Sequence, residues 1–485
     1  MTTTIKFGTD GWRAIIAEDY TFDNVRACAQ AVAYYLKNSG LDKGGMVVGY
    51  DTRFASESFA AAAAEVLAGN GIHVYLSNKA CPTPVVSFNL KRLSTSGAVI
   101  ITASHNPGQW NGFKVKEASA SSASPEVIAD IEARIPHILD GSERLESIPL
   151  EDATAQGLIE YFDPMPSYLD HIEALIGKDR LDAIKNANIG VVVDSMYGAG
   201  AGYTKRLLAG GTTVVTEIHG EYNPGFPGVQ PEPIARNLIE LRETIRERKA
   251  EVGLATDGDA DRLGVVDENG EFVTQLQVFS LLALYLLEVR GERGPIIKTI
   301  TTSNMMYRLG ELFESPVVET DVGFKYVGPE MINRNALIGG EESGGYGFRG
   351  HIPERDGILA GLYFLDLMVQ TGKTPAQLVE YLYGKVGPHY YHRIDLHFPA
   401  RERGAIVERV SAAEPETLNE IIVAKKDSYY DDDKKVSGVR FSLDNGAWLL
   451  IRFSGTEPVL RVYAEAGSPQ AVEQLLAKGK ELTGV

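Results

Sequence analysis

Ser104 closes an apolar run. Gly97-Ala98-Val99-Ile100-Ile101 leads into Thr102-Ala103-Ser104-His105-Asn106-Pro107. A strand that finishes in a hydroxyl, an imidazole, a turn-forming Asn and a Pro sets a nucleophile at a loop tip. Farther along, Asp257, Asp259 and Asp261 occupy alternate positions. On extended backbone, side chains at i, i+2 and i+4 project to one side. Three converging carboxylates repel one another unless a cation neutralises them, and an all-oxygen ligand set suits Mg²⁺, which keeps positions open for phosphate or water. A serine nucleophile beside an oxygen-rich cation site points to phosphoryl transfer.

An EF-hand reading of the aspartates fails. Glu268 falls at loop position twelve counted from Asp257, but position six, where the sharp turn needs Gly, is Arg262. Leu263 to Val266 reads as a strand rather than a loop. Arg262 is instead a phosphate-facing or cluster-orienting cation. Gly198-Ala199-Gly200-Ala201-Gly202 has its third glycine one place too early for a dinucleotide fingerprint, so it reads as a tight strand–helix turn. In Arg452-Phe453-Ser454-Gly455-Thr456-Glu457-Pro458, Arg offers bidentate donors, Ser and Thr offer hydroxyls, and Gly admits an oxyanion to the backbone amides; Arg461 follows. Gly339-Gly340-Glu341-Glu342-Ser343-Gly344-Gly345 sets two acids and a hydroxyl between glycines, a pattern that can grip sugar hydroxyls. Taken singly, His105, Lys114 and Arg13 are weak signals.

These segments need a large scaffold. At 485 residues the chain exceeds one core, and roughly three or four domains are expected. The net charge of −18 argues against nucleic acid as a partner, so local Arg and Lys must attract any anionic substrate. The cysteines, Cys28 and Cys81, are too few for a disulfide framework and suggest a reducing cytoplasm. Met1 to Ile16 shows no signal-peptide pattern, and the longest apolar stretch, Val278 to Leu287, is far shorter than the about 20 residues that span a bilayer. No membrane partner is expected.

The positioning elements follow from periodicity. Phe22 to Leu36 and Glu57 to Ala68 read as helices; Met46 to Tyr50, which runs into Asp51-Thr52-Arg53, and Ile72 to Leu76 read as strands. The alternation argues parallel strands covered on both faces. It restarts at Ile189 to Asp194, with a helical stretch from Tyr203 and the strand Val252 to Thr256. It restarts again at the helix Val278 to Val289 and the strand Pro295 to Lys298. From about Tyr390 the character changes. Arg393 to Phe398 alternates, Val439 to Leu443 and Trp448 to Phe453 flank the turn Asp444-Asn445-Gly446, Val459 to Ala464 is a strand, and Ser468-Pro469 opens a last helix.

In order along the chain, these pieces resemble the α-D-phosphohexomutases. Phe7-Gly8-Thr9-Asp10-Gly11-Trp12-Arg13 is similar to that family's first signature, Thr102 to Pro107 to its phosphoserine loop, and Asp257 to Arg262 to its metal loop. Gly340 to Gly344 resembles its sugar loop and Arg452 to Pro458 its phosphate loop. The resemblance implies three α/β domains with mixed sheets covered by helices (residues 1–155, 156–268 and 269–388) and a C-terminal α+β, TATA-binding-protein-like domain (389–485). It implies Ser104 as the phosphorylated nucleophile, with its phosphate and Asp257, Asp259 and Asp261 holding Mg²⁺. Lys114 would be the acid/base lysine, with Arg13 and His105 flanking the phosphoryl group. Glu341, Ser343 and Lys325 would bind sugar or substrate, and Arg452, Ser454, Gly455 and Thr456 the phosphate that is not reacting. His351 to Gly357 matches a nearby segment.

The expected activity is the interconversion of glucose 1-phosphate and glucose 6-phosphate, with a hexose 1,6-bisphosphate as intermediate and activator. The alternatives are a phosphomannomutase or dual-specificity mutase, a glucose-1,6-bisphosphate synthase, and a silent sugar-phosphate sensor. Where dual-specificity members commonly carry Met and His in the sugar loop, this chain has Glu342 and Gly345, which favours the phosphoglucomutase branch. The expected partner is the hexose phosphate, with the chain a monomer or weak homo-oligomer in the cytoplasm.

Overall fold

The computed structural model describes residues 5–8, 10–431, 434–454 and 458–485. The chain divides into two compact units, one of residues 1–299 and 315–379, the other of residues 300–314 and 380–485.

The first unit holds three α/β sheets among its described residues. In the first sheet, Gly97–Ile101, Met46–Tyr50, Val74–Ser77 and Ile159–Phe162 run parallel. Trp110–Glu117 lies antiparallel to Gly97–Ile101, and Trp12–Ile15 antiparallel to Trp110–Glu117. The second sheet has parallel Val214–Ile218, Gly190–Asp194 and Val252–Thr256, then antiparallel Leu263–Val266 and Phe272–Val273. The third has parallel Val317–Thr320, Ile296–Thr299 and Ile338–Gly340, then antiparallel Tyr346–Phe348. The alternation of strands and helices thus produces the parallel part of each sheet. The return strands make the sheets mixed, as the family resemblance implied, although the alternation of strands and helices by itself indicated only the parallel part.

One plan therefore occurs three times. A buried strand (Gly97–Ile101, Val252–Thr256 or Ile338–Gly340) runs into a loop at its carboxyl end, and the chain returns antiparallel. The three loops contain Ser104, the three aspartates, and Glu341 with Ser343. In open α/β sheets the carboxyl ends of parallel strands are where ligands bind.

Local signals set the helix ends. Thr21 accepts a hydrogen bond from the amide of Asn24 to start Phe22–Asn38, and Thr274 with Gln277 forms a capping box at Gln275–Leu284. The Asp356 side chain caps Gly357–Thr371. The strand expected from Ile72 begins only at Val74, because the Ile72 amide is still bonded to the Leu67 carbonyl at the end of Ser56–Gly69. The helix expected at Val278 to Val289 starts earlier and ends in a π-helical turn, Tyr285–Val289, whose Tyr285 hydroxyl donates to buried Asp366 at 2.5 Å.

In the second unit the strands Tyr390–His397, Val459–Ala466, Trp448–Phe453, Val436–Leu443, Ile421–Tyr430 and Thr417–Leu418 form one antiparallel sheet. The helices Arg403–Ala412 and Pro469–Thr483 pack on the face made by Val439, Phe441, Leu449, Ile451, Leu460 and Val462. Ser468 caps the last helix, with Pro469 in its first turn. Three α/β domains followed by an antiparallel α+β domain is the class expected from the sequence. No helix among the described residues is long and apolar enough to cross a membrane.

Ile451 is fully buried at the centre of the C-terminal core. Ile451→Ala is expected to lower the stability of that sheet by about 2–5 kcal/mol. Urea titration followed by fluorescence of Trp448, which lies one strand position from the core in the same sheet, measures the shift in midpoint.

Candidate active site

The Ser104 and aspartate loops face each other inside the first unit. Ser104 is 1% exposed and has φ 51°, a left-handed conformation rare for a residue with a side chain. Its amide donates to Thr102 Oγ1 at 2.8 Å, and its hydroxyl donates to Asp257 Oδ2 at 2.8 Å. The Asp257–Asp261 loop approaches so closely that a Cβ on Gly258 would lie 2.5 Å from the Ser104 carbonyl oxygen. Only glycine admits this contact.

Asp257, Asp259 and Asp261 are fully buried, and each offers a carboxylate oxygen within 4.8 Å of the others. Burial and its two neighbours push the Asp257 carboxyl well above its ordinary range. Asp259 Oδ2 accepts from Thr83 Oγ1 at 2.6 Å and Lys114 Nζ at 2.8 Å. Asp259 Oδ1 and Asp261 Oδ1 are buried and accept no hydrogen bond. Uncompensated carboxylate oxygens in the interior are costly unless a cation takes them. The triad therefore fits a hard divalent cation.

Cations surround this centre. Lys114 Nζ pairs with Asp10 at 2.7 Å, Asp259 at 2.8 Å and Asp261 at 3.5 Å. Burial opposes the ammonium charge, but Asp10, Asp259 and Asp261 outweigh it and keep the lysine protonated. His105 Nδ1 lies 3.3 Å from Ser104 Oγ. Burial, with Arg262 and Arg13 close by, pulls the imidazole well below its usual value, so it is neutral at pH 7. Arg13 Nη1 donates to Asn106 Oδ1 at 2.8 Å. Arg262 makes only long pairs, 3.9 Å to Asp257 and Asp261 and 3.7 Å to Glu232, and its buried Nε takes no hydrogen bond. Arg262 thus lies beside the triad, with its guanidinium not committed to a close carboxylate.

Glu341 joins the centre through an arginine that sequence reasoning did not single out. Arg355 Nη2 donates to Asp261 Oδ2 at 2.6 Å and Asp10 Oδ2 at 2.9 Å, and Nη1 donates to Glu341 Oε2 at 3.2 Å. One guanidinium thus links the first signature, the metal loop and the sugar loop. Its aliphatic stem fills the space over Gly345, where a Cβ would meet Arg355 Cδ at 2.2 Å. Asp10 is the second missed hub: it also accepts from Ser122 Oγ at 3.0 Å and faces Lys116, which itself pairs with buried Glu354. The available signals were slight: Asp10 lies inside the first signature, and Arg355 inside the matched segment 351–357.

The other expected residues are placed separately. Ser343 is half-buried in the Glu341 loop. Lys325 opens the helix Phe324–Arg334 with its ammonium over the Tyr326 ring, 4.8 Å from the centroid. Arg452 and Arg461 belong to the second unit, directly opposite on paired strands, and the Ser454 carbonyl accepts from Arg403 Nη1 at 2.5 Å. Gly455 and Thr456 lie outside the described residues. The glycine run at 198–202 is a strand–helix turn as expected, and its Ala199 amide bonds the Gly258 carbonyl behind the aspartates.

Comparison with known proteins agrees over the whole chain. Four family models match in order: phosphoglucomutase/phosphomannomutase alpha/beta/alpha domain I over residues 4–140, domain II over 166–270, domain III over 275–386, and the C-terminal domain over 406–481. A phosphoglucomutase/phosphomannomutase of Thermococcus kodakarensis is 30% identical over 476 residues, covering 98% of each chain. The chain belongs to the α-D-phosphohexomutase family. A probable phosphoglucosamine mutase of Pyrococcus abyssi is 31% identical, covering 98% of this chain and 97% of its own. The solved structure of a putative phosphomannomutase from Thermus thermophilus is 34% identical, with a TM-score of 0.82 and 100% of both chains covered. Phosphohexomutases are isomerases that act as mutases.

A further titratable cluster backs the mutase site. His219 is buried, with Nδ1 2.9 Å from Asp194 Oδ1 and Nε2 3.1 Å from Glu240 Oε2. The Asp194 hydrogen bond raises the imidazole above its usual value against the opposing effect of burial. His219 also receives the Tyr197 amide on its carbonyl, and the Tyr197 carbonyl accepts Thr52 Oγ1 from the first α/β domain at 2.6 Å. A raised folded value means that the charged His219 adds stability in full below the unfolded value of about 6.5, and that this is lost as pH rises through the folded value. Urea midpoints measured from pH 5.5 to 9 are expected to separate wild type from His219→Gln at the acid end and to converge toward the alkaline end.

Proposed function

We propose that this phosphohexomutase interconverts glucose 1-phosphate and glucose 6-phosphate by way of a phosphorylated Ser104. The observation that carries the reading is the Ser104 hydroxyl, buried at 2.8 Å from Asp257, beside a triad with two buried carboxylate oxygens that accept no hydrogen bond. Asp257, Asp259 and Asp261 would hold Mg²⁺, which when bound would supply positive charge to the phosphoryl oxygens beside Ser104.

The rest falls to side chains. In the forward half-reaction the bond from phosphorus to Ser104 Oγ breaks as one forms to a hydroxyl of the hexose phosphate, giving a hexose 1,6-bisphosphate. The proton that hydroxyl loses is the one Ser104 Oγ regains, so the half-reaction consumes and releases none. The neutral His105 Nδ1, at 3.3 Å from Oγ, can hold the serine proton when the bisphosphate returns its other phosphoryl group. Lys114, kept charged by three carboxylates, is suited to donate a hydrogen bond or proton rather than to abstract one. Arg13, held by Asn106 of the Ser104 loop, and Arg262, beside Asp257, would meet the equatorial oxygens of the transferring group. Glu341, oriented by Arg355, would accept sugar hydroxyls with Ser343 and Lys325. Arg452, Ser454, Gly455, Thr456 and Arg461 would bind the phosphate that is not reacting.

Glucose phosphates are the preferred pair because the sugar loop has Glu342 and Gly345. A glucosamine phosphate is the second reading, supported by the name of the Pyrococcus abyssi relative. Initial rates on the 1-phosphates of glucose, mannose and glucosamine, with glucose 1,6-bisphosphate as activator, separate the two; a glucosamine rate well above the glucose rate would reverse the choice. Ser104→Ala is expected to remain folded, to lose the mass of one phosphoryl group in intact-protein spectra, and to retain less than about one thousandth of the activity. Chelation of divalent cations is expected to stop turnover until Mg²⁺ is restored, and Asp259→Asn to raise the Mg²⁺ requirement. Substantial residual turnover in Ser104→Ala would sink the phosphoserine reading.

A further inference from the structure

Four consecutive carbonyl groups of the Ser104 loop are bonded by side chains. Arg53, fully buried behind the loop, provides most of those bonds. Its Nη2 donates to the carbonyls of Ser104 and Asn106, both at 2.6 Å. Its Nη1 donates to the carbonyls of Pro107 at 2.8 Å and Trp110 at 3.0 Å. Its Nε donates to Asp51 Oδ2 at 3.1 Å, so every N–H of the guanidinium fork is used. The remaining carbonyl, His105, accepts Gln230 Nε2 at 3.3 Å. Phe226, from the same segment of the second α/β domain as Gln230, lies over the guanidinium, 5.0 Å from ring centroid to Cζ. Asp51 is itself held by Ser56 Oγ at 2.9 Å.

We infer that Arg53 is a positioning residue for phosphoryl transfer, which holds Ser104 in its left-handed conformation by bonding the loop carbonyls from behind. Ser104 at φ 51° is strained, and strain of this kind persists only where the surroundings over-determine it. In that conformation the hydroxyl reaches Asp257 at 2.8 Å, and the Ser104 carbonyl lies close against Gly258, where a Cβ would come within 2.5 Å of it. Arg53 touches neither the triad nor any reacting atom, since its donors are all engaged with backbone and Asp51. Lysine, with three donors on a point charge, retains the pairing with Asp51 and cannot span four carbonyls in one plane. Phe226 makes the second α/β domain part of the same device, because its ring fixes the plane of the fork.

This role rests on the phosphoserine reading, and the test keeps the two apart. Wild type, Arg53→Lys and Phe226→Leu are assayed for kcat and KM on glucose 1-phosphate and for phosphoryl occupancy of Ser104 by intact mass after incubation with glucose 1,6-bisphosphate. Circular dichroism checks folding. Arg53→Lys is expected to reduce kcat by about 100-fold with KM within about threefold, since a misplaced nucleophile loses transfer rather than affinity. Phe226→Leu, which leaves every hydrogen bond in place, is expected to reduce kcat several-fold with the same unchanged KM. A folded Arg53→Lys with kcat within about fivefold of wild type, or with its loss in KM, overturns the inference. Should Arg53→Lys not fold, an unchanged kcat in Phe226→Leu overturns it. A wild type that turns over without ever carrying phosphate on Ser104 overturns the phosphoserine reading, and this inference with it.

Discussion

The centre of this protein is a problem of buried charge. Asp257, Asp259 and Asp261 lie together with no access to solvent, and two of their oxygens, Asp259 Oδ1 and Asp261 Oδ1, accept no hydrogen bond. Asp10, Glu341 and Glu354 add further carboxylates, against Lys114, Lys116, Arg13, Arg262 and Arg355. Removing one member of such a network leaves an uncompensated buried charge, which is far more damaging than the net worth of any single pair. The network therefore ties the three α/β domains of the first unit together wherever it crosses between them. Lys114 and Asp10 come from the first sheet, the triad from the second, and Arg355 with Glu341 from the segments around the third.

Delivering those charges to one place is the task of a repeated element. Each α/β sheet ends a buried parallel strand in a functional loop and brings the chain back antiparallel beside it. The return strand of the first sheet carries Lys114 and Lys116 at alternate positions, so both ammonium groups emerge on one face. A parallel crossover would have sent the chain away through a helix. The hairpin instead keeps the loop short and both of its ends anchored in the sheet. Short anchored loops hold side chains more precisely than long ones, which suits chemistry that consists mainly of positioning and charge neutralisation.

Particular contacts around the sugar loop orient its acid. Gly345 is covered by the stem of Arg355, so a side chain there and the arginine in its present seat exclude one another. The acid of the sugar loop is consequently oriented by Arg355 rather than by a neighbour in its own loop. Arg452 and Arg461 occupy facing positions on the C-terminal sheet, and Arg461 also pairs with Asp395 at 3.7 Å.

Much of the protein was legible in one dimension. Helix caps, turn residues and apolar runs specify the elements, because those preferences depend on neighbours in sequence. Ser104, His105, the alternating aspartates and the glutamate loop announce themselves because local spacing alone sets which side chains project together. The antiparallel direction of the return strands was not legible from the pattern: Leu263 to Val266 reads as a strand, but a strand beside a parallel neighbour and one beside an antiparallel neighbour carry the same apolar pattern, and only pairing decides. Arg53, Asp10 and Arg355 were not legible for a related reason. An isolated arginine or aspartate in sequence has no partner, and a value to the site arises only when residues 51 or more positions apart meet, as Arg53 does with Ser104 and Arg355 with Asp10. The sequence by itself determined the candidate groups and the order of the domains. The tertiary structure decided their protonation, their orientation and the strain on Ser104, because burial and long-range charge exist only once the chain is folded.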